Sequence, residues 1–154
     1  MLIEIKKVLK KGIGILLVII LVGVGVTKFK DNKKKKDFLY HDHDSIVAKY
    51  GEEGELSKKN LIQIKRLFGN HIEKFESKNY TAREAKMAGF SDEGIFRAYS
   101  RDAILEAYGD INKELDGEIL DQIGRALVFN IYDFKEKGYT VKEARLAGFK
   151  DEEI

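Results

Sequence analysis

Proline is absent from the 154 residues, and so is cysteine. Without proline nothing in the chain imposes the missing amide and the ring clash that break helices, so long helices with short connections are expected. Without cysteine, disulfides, thiolate nucleophiles and cysteine-ligated zinc are excluded. Histidine is scarce too, with only His41, His43 and His71. No glycine-rich phosphate loop occurs. Catalytic residues, a cofactor site and a metal site are therefore not expected, and the chain is read as a non-enzyme.

The nearest approach to a metal motif is His41 and His43, flanked by Asp42 and Asp44. Spacing fixes no third or fourth ligand for them. This stretch is expected to be a solvated linker, with Asp44 capping the first helix.

Negative charge is scarce in the first part of the chain. Residues 1–36 hold ten Lys and two acidic residues, a net of +8, which leaves 37–154 at −6. Within the basic part, residues 12–27 carry no charge. Sixteen residues of helix span about 24 Å, slightly less than the apolar thickness of a bilayer, and flanking lysines that snorkel close the gap. No small-x-small cleavage pattern follows, so an uncleaved single-pass anchor is expected rather than a signal peptide. Lys10 and Lys11 precede this span, and Lys28, Lys30, Lys33, Lys34, Lys35 and Lys36 follow it. The heavier downstream flank favours a cytoplasmic C-terminal domain and a contact with anionic lipid headgroups.

The folded part is a duplication. Tyr80-Thr-Ala-Arg-Glu-Ala-Lys-Met-Ala-Gly-Phe returns 59 residues later as Tyr139-Thr-Val-Lys-Glu-Ala-Arg-Leu-Ala-Gly-Phe, and 55–95 matches 114–154 at 19 of 41 positions. The segment from Asp44 to Gly51 pairs with Asp102 to Gly109 at an offset of 58. The organisation expected is an N-terminal tail (1–11), a transmembrane helix (12–27), a basic and polar linker (28–43) and two all-α repeat units (44–101 and 102–154).

Within each unit an apolar stripe of three- and four-residue steps (Leu61, Ile64, Phe68, Ile72 and Phe75; Leu120, Ile123, Leu127, Ile131 and Phe134) predicts one long helix, over 57–78 and 116–137. The second copy also carries Val128, Phe129 and Tyr132 on other faces, which predicts that it is buried on two sides. Asn79 and Gly138 are placed to end these helices. Thr81-x-x-Glu84 and Thr140-x-x-Glu143 read as capping boxes that open a short helix. Ala85 and Ala144 read as close-packing positions on it. A further helix is expected to run unbroken over 91–108.

Ala85-x-x-x-Gly89, followed by Ile95, resembles the turn of helix-turn-helix DNA readers over about 16 residues of each unit. That resemblance implies a membrane-tethered DNA-binding regulator. Glu84 stands where that motif is apolar, however, and −6 is the wrong sign for a phosphate binder, so nucleic acid is not the expected partner. Ala88-Gly-Phe-Ser-Asp-Glu and its second copy resemble elements of some phage and bacterial envelope proteins, which implies a structural component. The reading favoured by the residues is an interaction or scaffold module that binds a protein partner or itself. Its candidate groove is formed by Leu146, Phe149 and Ile154, beyond which no continuation like that after Ile95 is present to cover them.

Overall fold

The computed structural model describes residues 31–110, 112 and 114–154. The expected span over 12–27, together with Lys10, Lys11, Lys28 and Lys30, lies outside them. Among the described residues no helix is long and apolar enough to cross a membrane. Residues 31–40, which include Lys33, Lys34, Lys35 and Lys36, are helical and belong to a compact unit ending at Tyr40. His41–Ile154 forms the other compact unit.

That unit is all-α. Its first repeat holds α1 (His43–Tyr50), α2 (Lys58–Leu67), α3 (Ile72–Glu76), α4 (Ala82–Met87) and α5 (Asp92–Ala98). The second repeats the first four as α6 (Arg101–Tyr108), α7 (Gly117–Ala126), α8 (Ile131–Glu136) and α9 (Val141–Leu146). Apart from one isolated bridge between Glu52 and Glu55, no β-pairing occurs among the described residues.

Each long helix expected from the stripe is two helices. After α2 the chain turns through Gly69 (φ 70°) and Asn70 (φ 60°), and the Asn70 amide closes the end by donating to Lys65 O at 3.0 Å. The same left-handed closure follows α7, where Val128 (φ 55°) and Phe129 (φ 49°) take those places and the Phe129 amide donates to Gly124 O at 2.7 Å. The apolar spacing survives because the turn returns the chain to the same core, where Leu61, Ile64, Phe68, Ile72 and Phe75 are all buried. Burial of the second copy on two sides is also corrected, since Val128 is 76% and Tyr132 80% exposed.

The helix expected over 91–108 is likewise broken. Tyr99 is extended (φ −96°, ψ 154°), and the Arg101 amide, which a continuous helix would bond to residue 97, donates instead to Lys137 O at 2.9 Å. Lys137 closes the clamp by donating from Nζ to Tyr99 O at 3.2 Å. The second repeat thus holds open the break between α5 and α6. Tyr99 also reaches into the first repeat, where its hydroxyl donates to Tyr80 O at 2.9 Å.

Other local expectations are met. Both capping boxes form, with Thr81 and Thr140 hydroxyls accepting from the Glu84 and Glu143 amides. Asn79 (φ 65°) and Gly138 (φ 92°) are the left-handed stops. Ala85 and Ala144 are 0% and 2% exposed. The first cap is shifted: Asp42, not Asp44, accepts from the Ser45 amide at 2.8 Å, so α1 begins at His43. Across the repeats α4 packs on α6 and α5 on α7, while α9 packs on α7 within the second repeat.

Candidate functional site

A cleft recurs in each repeat, between the first helix, the segment entering the second, and the capping-box helix. The first has a volume of about 180 Å³ and the second about 120 Å³. Their linings correspond position by position: His43 with Arg101, Glu55 with Glu114, Leu56 with Leu115, Thr81 with Thr140, Arg83 with Lys142, Glu84 with Glu143 and Met87 with Leu146. The offset of 59 and the earlier offset of 58 thus converge on one place in space.

At the centre of each cleft a base meets the capping-box glutamate. His43 Nε2 lies 3.0 Å from Glu84 Oε1, and its Nδ1 lies 3.2 Å from Asp44 Oδ1. In the second cleft Arg101 donates from Nε to both oxygens of Glu143 at 2.9 Å, and its NH2 group lies 2.8 Å from Oε1. Asp102 stands where Asp44 does, 3.2 Å from the Arg101 NH1 group. Oε2 of each glutamate accepts from the threonine amide and hydroxyl, at 2.9 and 3.2 Å for Thr81 and at 2.8 Å for both groups of Thr140. Both carboxylates are therefore fully engaged in joining the first helix of a repeat to its fourth.

Burial opposes a charge on His43, but the carboxylates of Glu84 and Asp44 outweigh it and raise the imidazole above its ordinary value. Burial likewise works against the Glu143 carboxylate, and the bonds from Arg101 and Thr140 reverse this, leaving it below the ordinary value. Below each cleft stands a tyrosine, Tyr80 or Tyr139, 1% and 5% exposed. Each stacks on the phenylalanine five residues before it, at 4.3 Å between centroids, and neither hydroxyl has a partner in the protein. Burial drives both phenols far above their usual range.

The candidate groove residues separate. Phe149 is 5% exposed, covered by Phe129 at 5.8 Å and Phe134 at 5.0 Å between ring centroids. Ile154 is half-buried, while Leu146 is 51% exposed. The cover over Phe149 differs between repeats by a paired exchange. Phe90, its counterpart, is covered by Lys65, whose ammonium sits 4.6 Å over the ring. Gly124 replaces Lys65 in the second repeat, and Phe129 replaces Asn70; a Cβ on Gly124 would come within 3.1 Å of the Phe129 ring.

Sequence reasoning missed the His43–Glu84 pair, and His43 is not a linker residue. The available signal was the 58-residue offset, which places His43 opposite Arg101 when extended one residue upstream. Among the described residues no group of three or more His, Asp or Glu is arranged to hold a metal ion. Comparison with protein-family models, curated proteins and solved structures gave no match.

Proposed function

We propose that this chain is a membrane-anchored helical-repeat module that binds another protein through the outward surface of its second repeat. The supporting observation is Val128, a β-branched residue in the left-handed region (φ 55°) with its side chain 76% exposed. Such a conformation disfavours valine by about 1–2 kcal/mol, and its first-repeat counterpart is glycine. Phe129 offsets the same strain by covering Phe149, whereas the Val128 side chain lies largely in solvent. With Tyr132, 80% exposed, it places apolar surface where the first repeat has Gly69 and Glu73. Strain retained at an exposed apolar position is a mark of an interaction site.

The anchor rests on the uncharged stretch 12–27 and its lysine flanks, and the heavier downstream flank favours the cytoplasmic side for the repeats. The net charge of −6 over 37–154 supports protein over nucleic acid as the partner. The exposed face of α5, where a reading helix would stand, carries Asp92 and Glu93, which also favours protein over nucleic acid.

A photo-crosslinking residue at Tyr132 of the full-length chain, in its native membrane, tests the reading. One discrete adduct is expected from position 132 and none from position 73, its exposed counterpart. No adduct at 132, or the same pattern at both positions, overturns it.

A further inference from the structure

The contact between α4 and α6 is a template for a contact that α9 is built to make. Where α6 covers α4, Ala82 is 1% exposed and Met87 half-buried. Lys86 places its ammonium 3.7 Å over the Tyr108 ring, and the Tyr108 hydroxyl donates to Asp92 at 2.5 Å. Glu106 of α6 completes the first cleft beside Arg83 and Met87.

Each receiving group recurs on the second repeat without a helix laid over it among the described residues. Val141 and Leu146 are 49% and 51% exposed. Arg145 and Asp151, counterparts of Lys86 and Asp92, are paired with each other at 2.9 Å and are 62% and 81% exposed. Lys142, counterpart of Arg83, is 78% exposed and only 3.9 Å from Glu114 at its nearest.

We infer that the outer face of α9, Val141 and Leu146 between Lys142 and Arg145, docks a short acidic helix of a partner protein that ends in tyrosine. This rests on the reading of the second repeat as an interaction surface, and adds the chemistry of what it takes. The tyrosine ring replaces Asp151 as the neighbour of Arg145, as the Tyr108 ring takes Lys86. An acidic residue two positions before the tyrosine, where Glu106 stands, faces Lys142. A second copy is a poorer occupant: its α6 is already packed on its own α4, and its α1 ends in Tyr50 but carries Ala48 in place of Glu106 and an exposed Lys49 in place of the half-buried Ala107.

Two hydrocarbon-stapled fluorescent peptides, spanning residues 100–110 and 42–52, are titrated into the full-length chain in lipid nanodiscs and followed by anisotropy. Saturable binding is expected for the first peptide. Tyr108→Ala or Glu106→Lys in that peptide should each weaken it at least about tenfold. Leu146→Arg in the protein should abolish it, at a site exposed enough for the fold to persist. No saturable binding by the first peptide overturns the inference, as does binding that survives Leu146→Arg. Equal or tighter binding of the 42–52 peptide also overturns it, in favour of a second copy as the occupant. Crosslinking at Tyr132 is read independently, so the peptide result can fail while the interaction-module reading stands.

Discussion

His43 and Glu84, 41 residues apart, meet at 3.0 Å in a pair that the second repeat rebuilds with Arg101 and Glu143. The two joints share one geometry and differ in one chemical respect. Arginine keeps its charge at any ordinary pH, while histidine loses it near neutrality.

Stability of the repeat domain should therefore fall as pH rises past neutrality. His43 has its folded value raised above 6.5, so its contribution is complete below the unfolded value of about 6.5 and is lost as pH rises through the folded one. The groups facing it are Asp44 on its own helix, Glu84 and the Tyr80 ring; Glu55, Arg83 and Glu106 share the cleft. Thermal melts from about pH 5.5 to 8.5 should show the decline, and His43→Arg should remove it. A slope unchanged in that variant would assign the dependence elsewhere.

Arg101→Ala should cost about 2–3 kcal/mol, because it leaves Glu143 largely buried with only its threonine partners. Arg101→Lys should recover part of this, since an ammonium cannot span both carboxylate oxygens. The loss should shrink in acid. Glu143 has a lowered folded value, so the stability it contributes is present above the unfolded value and lost as pH falls through the folded one. Chemical denaturation of the three proteins at neutral and acidic pH checks both statements.

Placing a charge at the packing alanines, Ala85→Glu or Ala144→Glu, should destabilise by roughly 2–4 kcal/mol through overpacking and an unpaired buried carboxylate. Melting temperatures equal to wild type would mean that these helix faces open to water.

Val128→Gly should stabilise the domain by about 1 kcal/mol, because it relieves a left-handed β-branched residue that is already exposed. If Val128 serves binding, the same change should weaken the Tyr132 crosslink. A gain in stability with binding intact would remove Val128 as support for an interaction surface.

Gly124→Lys and Phe129→Asn should each destabilise alone and compensate in part when combined, since the pair installs the Lys65 and Asn70 arrangement over Phe149 but leaves the new Cβ 3.1 Å from Ala147 O. A double-mutant cycle should give a coupling of about 1 kcal/mol or more in the favourable direction. Additive effects would show that the two covers are independent.

Much of this fold was legible because its signals are local. Capping boxes, the stops at Asn79 and Gly138, and the small residues at Ala85 and Ala144 depend on neighbours a few positions away. The breaks inside the long stripes were hidden because the turns at Gly69-Asn70 and Val128-Phe129 keep the apolar steps in phase with one core. Gly69-Asn70 carried turn chemistry, but Val128-Phe129 carries none, and the duplication was the only guide to it. Lys137, 36 residues beyond Arg101, holds the break between α5 and α6, and no pattern around Tyr99 announces that. The clefts were invisible for a related reason: their members match between repeats but are scattered along each one.

Helices α1 to α9 run from five to ten residues. Isolated segments of that length are not stable in water, because each must offset a costly nucleus with only a few hydrogen bonds. Helicity here is therefore a property of the assembled domain. Amide protons in the middle of α7 and of α3 should exchange through a common global opening rather than helix by helix. Cutting the chain in the connector between α6 and α7 should erase the far-ultraviolet helical signal that α1 to α9 contribute in the two fragments, and mixing them should restore it.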